Sequence, residues 1–304
     1  MTDLFQRKSL SLPDGNLSYL AGPYTAGRPN LNFIHATGFN ANTYISVLEP
    51  LTRYVNIYAP DLRGHGLGTL HNDPGLLGGN WEIYRQDFYR FLDFINEPIY
   101  LVGHSVGAAI SLAGAVHRQD LLRGILLIEA SLPAVGRSAE NPFKITTLPE
   151  AARKRRKHFP SRQVAIKNYF GKGAFQTWQT RAISDYINGG TITLDDGSVE
   201  LSCNPEWEAT SFEAAERNPW PVIRKVTCPI MLIHGNRNST CEPSGVEYFK
   251  KIQPSAQIIQ ISNASHFLPL EKPDLVVKAA LGLITDKPYN ERVMSRNENT
   301  NQKI

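Results

Sequence analysis

Six short apolar runs, rich in Ile, Val, Leu and Tyr, recur along the chain: Leu31 to His35, Val55 to Ala59, Ile99 to Gly103, Gly124 to Ile128, Ile230 to His234 and Gln257 to Ile261. Each is closed off by Gly, Pro, Asn or Asp, and most are followed by a stretch long enough for a helix. Runs of this kind are strands buried on both faces of a mostly parallel sheet, so the fold class is α/β, with helices on both sides of a central sheet. The opening differs. Lys8 to Leu12 and Leu17 to Leu20 flank Pro13-Asp14-Gly15-Asn16, which reads as a hairpin and adds an antiparallel edge.

The alternation stops after Ser131 and resumes at Cys228. The expected organisation is a core of residues 1–132 and 229–286, an inserted, mainly helical cap of residues 133–228, and a polar, disordered tail of residues 287–304. Within the insertion, helices are expected around Glu150 to His158 and Arg162 to Phe170, with breaks at Asn188-Gly189-Gly190 and Asp195-Asp196-Gly197. Ligands bind at the carboxyl end of a parallel sheet, so an insertion there is expected to cover substrate. Its aromatics, Phe143, Phe159, Phe170, Phe175, Trp178 and Trp207, point to an apolar pocket, although such residues more often form core. The net charge of +4 also belongs to this segment, which holds 14 Lys/Arg against 10 Asp/Glu. Its densest part, Arg153-Lys154-Arg155-Arg156-Lys157, reads as a solvated helix face, with contact to an anionic surface as the functional alternative. No nucleic-acid motif accompanies it.

No stretch approaches the roughly 18 to 20 apolar residues that span a bilayer, and the opening residues lack the apolar core of a signal peptide, so a cytoplasmic protein without a transmembrane segment is expected. Cys203, Cys228 and Cys241 have neither zinc-like nor redox-like spacing and read as reduced thiols. Neither metal nor cofactor is expected.

The chemistry is carried first by Ile99 to Leu112, where a buried strand runs into Gly103-His104-Ser105-Val106-Gly107 and then into a helix of small residues. A serine in so sharp a strand-to-helix turn needs neighbours without side chains, and the turn leaves its hydroxyl exposed at a helix N-terminus. Ser105 is therefore the candidate nucleophile.

With this motif the chain resembles the α/β-hydrolase superfamily from Leu17 to Asp274, apart from the cap. Phe33 to Phe39 is similar to the family's H-G-x-G segment, with Ala36 in place of the first Gly, and the resemblance implies an oxyanion hole made by the backbone N–H groups of Thr37 and Val106. Asp61 to Gly66 resembles a turn that is structural in the family, which leaves Asp61 and His65 outside catalysis. His266, just after the last expected strand, matches the family's G-x-H segment and is the candidate general base, while His35 and His104 lie near enough to tune polarity. The acid departs from the pattern. Where the family carries G-x-x-D, this chain has Gly235-Asn236-Arg237-Asn238. An amide orients an imidazole without stabilising its charge, at a cost on the order of 10⁴ in turnover. Glu129, at the end of the strand after the nucleophile helix, is the substitute acid, with Glu242 in reserve. The resemblance then implies a serine hydrolase acting on a small-molecule acyl substrate, a carboxylesterase first. Hydrolysis of a thioester, an amide or a diketone carbon–carbon bond stays open, as does a ligand-binding member with little turnover.

Overall fold

The computed structural model describes residues 4–135, 147–215 and 218–285. Its strands are β1 (Gln6–Leu12), β2 (Gly15–Ala21), β3 (Asn30–Ile34), β4 (Asn56–Pro60), β5 (Ile99–His104), β6 (Leu122–Ile128), β7 (His158–Phe159), β8 (Thr191–Thr193), β9 (Val199–Leu201), β10 (Ile230–Gly235) and β11 (Gln257–Ile261). Eight of them form one sheet in the order β1-β2-β4-β3-β5-β6-β10-β11. The first two pairings are antiparallel and the rest parallel, which is the α/β-hydrolase arrangement that the resemblance implies. The opening hairpin is tighter than expected, because Leu12 pairs with Gly15 and leaves Pro13 and Asp14 alone to turn the chain.

Successive side chains of a strand point to opposite faces, and the central strands use this to build two cores at once. Phe33, Val102, Leu126, Ile128, Met231 and Ile233 pack on one side with Leu48, Leu51, Val276 and Ala280 from the helices Ile45–Leu51 and Pro273–Thr285. Ile34, Leu101, Ile125, Leu127, Ile230 and Leu232 pack on the other with Phe88, Leu92, Ile110 and Leu112 from the helices Glu82–Ile95 and Val106–His117. β11 departs from the expectation of burial on both faces: it closes the sheet as an edge, and only Ile261 is fully buried.

Between β6 and β10 lie the helices Thr147–Arg153, Arg162–Tyr169, Thr180–Gly189 and Pro205–Glu213, together with a small sheet of order β7-β9-β8. The helix expected to reach His158 stops at Arg153, because Phe159 pairs with Val199 across the small sheet. Asp195 to Gly197 turns the chain between β8 and β9, whose register runs from Thr191↔Leu201 to Thr193↔Val199. Phe143 and residues 287–304 lie outside the described residues.

The basic run is not a bare solvated face. Arg153 bonds Glu206 and Glu213, Arg155 is half-buried against Glu208 and the hydroxyls of Tyr169 and Tyr186, and Lys157 pairs with Glu200 at 3.1 Å. Among the described residues no helix is long and apolar enough to cross a membrane.

Candidate active site

Ser105 sits between β5 and the helix Val106–His117 with φ +55° and ψ −117°, a conformation that costs an L-residue of order 1–3 kcal/mol. The surrounding packing leaves no other path. A Cβ on Gly103 would lie 2.2 Å from the Gly107 carbonyl oxygen, and one on Gly107 would lie 2.2 Å from that of Ile34. The Ser105 N–H donates to the Ile128 carbonyl at 3.0 Å, which ties the turn to β6. Val106 opens the helix, and the first N–H groups of a helix have no partner within it.

Ala36 to Phe39 forms a turn closed by the Phe39 N–H on the Ala36 carbonyl at 3.1 Å. Within it the Gly38 N–H donates to His65 Nε2 at 3.0 Å, while Thr37 faces the cavity that Ser105 and His266 also line.

His266 follows β11. Its Nδ1 lies 3.4 Å from Glu129 Oε2 and 3.2 Å from Thr240 Oγ1. Glu129 is fully buried with φ +49°, so the end of β6 bends its carboxylate toward β10. Oε1 accepts the Gly235 N–H at 2.5 Å, and Oε2 accepts the Ser239 hydroxyl at 2.9 Å and the Thr240 N–H at 3.0 Å. Burial works against its charge, yet the hydrogen bond and charge of His266 and the amides of Gly235 and Thr240 outweigh burial and hold the carboxyl below its ordinary value. Asn238 is exposed at φ +46° and lines the cavity. Glu242 is exposed as the residue before the helix Pro243–Ile252, with its own N–H on the Leu132 carbonyl.

His35 and His104, expected to tune polarity, are both buried and hydrogen-bonded. His104 Nε2 is 2.7 Å from the His266 carbonyl, which can only accept, so Nε2 carries the proton and Nδ1 accepts from the Tyr44 hydroxyl at 2.7 Å. The Tyr44 oxygen in turn accepts the Ala36 N–H at 3.1 Å. One buried chain thus joins the Ala36 turn, the serine turn and the His266 loop. Burial, followed by the charge of His266, pushes His104 well below the usual histidine value and keeps it neutral. Burial likewise lowers His35 to about 4 and His65 to about 3. Each accepts a backbone N–H on Nε2, from Leu62 and Gly38 respectively. Asp61 accepts from the Ala41 N–H at 2.8 Å and holds its turn. Thr240 and Tyr44 were missed in the sequence; neither stands in a motif, and their roles arise only from partners 111 and 60 residues away.

The cavity measures about 610 Å³. Among the described residues its aromatic walls are Trp81, Phe212 and Phe267, and none of Phe159, Phe170, Phe175, Trp178 and Trp207 lines it. Phe159, Trp178 and Trp207 are buried in core, Phe175 packs against Trp178 and Tyr186, and Phe170 is exposed. The reason is packing: Trp207 Nε1 donates to the Arg63 carbonyl, and Trp178 meets Phe39 edge to face, so these rings hold the inserted segment onto the sheet.

A serine held in a strained strand-to-helix turn, lining one cavity with a histidine that a buried carboxylate contacts, defines a class: enzymes of the α/β-hydrolase type. The model of the Alpha/beta hydrolase family matches residues 33–279, and the chain belongs to that family. It is similar to 2-(acetamidomethylene)succinate hydrolase of Mesorhizobium japonicum, with 22% identity over 84% of this chain and 88% of that protein. N-formylmaleamate deformylase of Pseudomonas putida is 23% identical over 82% of this chain and 85% of its own. The crystal structure of an E-2-(acetamidomethylene)succinate hydrolase superposes with a TM-score of 0.78 at 18% identity, over 92% of this chain and 99% of that one.

Proposed function

We propose that this hydrolase cleaves a carboxylic ester through an acyl-enzyme on Ser105. The observation that carries the reading is the carboxylate of Glu129 on His266 Nδ1, in the cavity that Ser105 lines. Glu129 fixes the tautomer in which Nδ1 holds a proton, so Nε2 is the base that takes the proton of Ser105. The alkoxide attacks the carbonyl, the N–H groups of Thr37 and Val106 stabilise the oxyanion, and His266 returns the proton to the leaving group. Water activated by the same imidazole then releases the acid. With a carboxylate on His266, Asn238 no longer argues for a member without turnover.

Residues 133–228 act as the cap in this reading. Leu148, Pro149 and Arg153 from one of its helices, with Phe212 and Glu213 from another, wall a cavity whose 610 Å³ suits a small to medium substrate. A second reading, hydrolysis of an amide-type acyl bond, is favoured by the two relatives, whose names specify an acetamidomethylene and an N-formyl compound.

A fluorophosphonate probe tests the chemistry: it should label the wild-type protein and fail on Ser105→Ala, and His266→Ala should lose p-nitrophenyl acetate hydrolysis by a comparable factor, because nucleophile and base act as one unit. Labelling that survives Ser105→Ala would sink the assignment. The ratio of rates on an ester and an amide of one acyl group separates the two readings.

A further inference from the structure

A smaller cavity of about 210 Å³ adjoins the larger one and shares Asn238, Ser265 and Phe267 with it. Ser265 and Phe267 flank His266 in the chain, so the two compartments meet beside the imidazole. They differ in charge. The larger is walled by Glu150, Glu213 and Arg153, and Arg153 is already committed to Glu213 and Glu206. Among the described residues the smaller is lined by one ionised side chain, Arg237, with the amides of Gln176 and Asn238 and the hydroxyl of Thr177 as neutral company.

Arg237 makes no ion pair among the described residues. Its Nη2 donates to the Asn263 carbonyl at 3.0 Å and its own N–H to the Ala264 carbonyl at 3.0 Å, which anchors the residue and leaves most of the five guanidinium N–H donors for a ligand. A guanidinium in this position matches a carboxylate through two parallel hydrogen bonds. Whole-ligand sites run to roughly 300–1,000 Å³, so a compartment of 210 Å³ is sized for one end of a molecule.

We infer that the smaller cavity is a substrate subsite in which Arg237, with Asn238 and Gln176, binds a carboxylate on the substrate while the other end occupies the larger cavity. This inference rests on the acyl-transfer reading above. It narrows the substrate to an acyl compound that carries a carboxylate on a short stem, such as a half-ester of a short dicarboxylic acid.

Two substrate pairs separate charge from shape, because an isopropyl group approximates a carboxylate in size. Monomethyl glutarate against methyl isoheptanoate places the charge on the acyl side, and β-acetoxypropanoate against isopentyl acetate places it on the alcohol side. For one pair, Arg237→Gln should lower the ratio of kcat/KM, charged over neutral, about tenfold, mainly through KM, and Arg237→Lys should retain part of the preference. Arg224→Gln removes the same charge from the neighbourhood of Tyr248 and should leave the ratio unchanged. A ratio indifferent to Arg237→Gln in both pairs, or lowered equally by Arg224→Gln, overturns the subsite. Titration calorimetry of glutarate on the Ser105→Ala protein decides the matter without turnover: binding weakened by Arg237→Gln supports the subsite, and no binding, or binding indifferent to Arg237, counts against it. Fluorophosphonate labelling of Ser105 judges the hydrolytic reading separately.

Discussion

Glu129 accepts more hydrogen bonds than an orienting partner for His266 requires. Gly235, Ser239 and Thr240 all donate to it, and a carboxylate alone has acceptors for every one. Glu129→Gln therefore has two effects. Turnover per folded molecule should fall by a factor on the order of 10³–10⁴, and stability should fall by about 1–3 kcal/mol, because an amide NH₂ cannot accept. The carboxyl is held below its ordinary value of 4.5, so its ionisation favours the fold above that pH and the contribution is lost as pH falls through the folded value. Urea unfolding of wild type and variant should show the stability gap narrowing as the pH drops below 4.5. A gap that widens in acid would mean the group is not stabilised as an anion. Thr240 acts through His266 and Glu129 as a positioning residue: its hydroxyl donates to the Glu129 carbonyl at 2.8 Å and lies 3.2 Å from Nδ1. Thr240→Val should lower kcat about tenfold with little change in KM, and Thr240→Ser should restore it.

At the scale of elements, the serine turn depends on β3, β5 and the nucleophile helix meeting closely. Gly107→Ala should cost about 3 kcal/mol or yield insoluble protein, because the new Cβ meets the fixed carbonyls of Ile34 and His35 at 2.2 and 2.8 Å. Near wild-type unfolding would show that the strand and helix can separate. The helix Pro205–Glu213 is held to the basic run by two unlike arginines. Glu208 is buried and Arg155 half-buried against it, so Arg155→Met should strand a buried carboxylate and cost about 3 kcal/mol, most of it recovered in Arg155→Met/Glu208→Gln. Arg153 is exposed, and Arg153→Gln should leave the urea midpoint where it is.

Over the whole molecule, the inserted segment meets the core along the helices Thr180–Gly189 and Ile45–Leu51, where Arg181 bridges Glu49 at 2.5 Å and Asp185 at 3.5 Å. Burial, only partly offset by Arg181, raises Asp185 from 3.8 to about 6, and the charge of Glu49 adds to the rise. A raised carboxyl value means that the folded chain holds the proton more tightly, so stability falls as pH climbs from 3.8 through about 6. Asp185→Asn should raise the thermal midpoint above that window and lose its advantage below it. An advantage that is independent of pH would assign the gain to something other than this charge.

What the sequence determined by itself was whatever a local pattern enforces. Continuous apolar runs must cover both faces of a sheet, and the glycines around Ser105 leave that turn few alternatives. The missing carboxylate at Asn238 pointed to Glu129, and the structure brings Glu129 to His266. Tertiary structure alone decided the rest. His158 leaves the expected helical run because Glu200 is there to pair with it, Trp178 and Trp207 turn from the cavity into core, and Arg155 folds inward because Glu208 is there to receive it. The Tyr44–His104 tie and the Thr240 contact belong to the same class. Each depends on a partner tens of residues away, and the free energy that selects such a contact is created only when the chain has folded and excluded water around both groups.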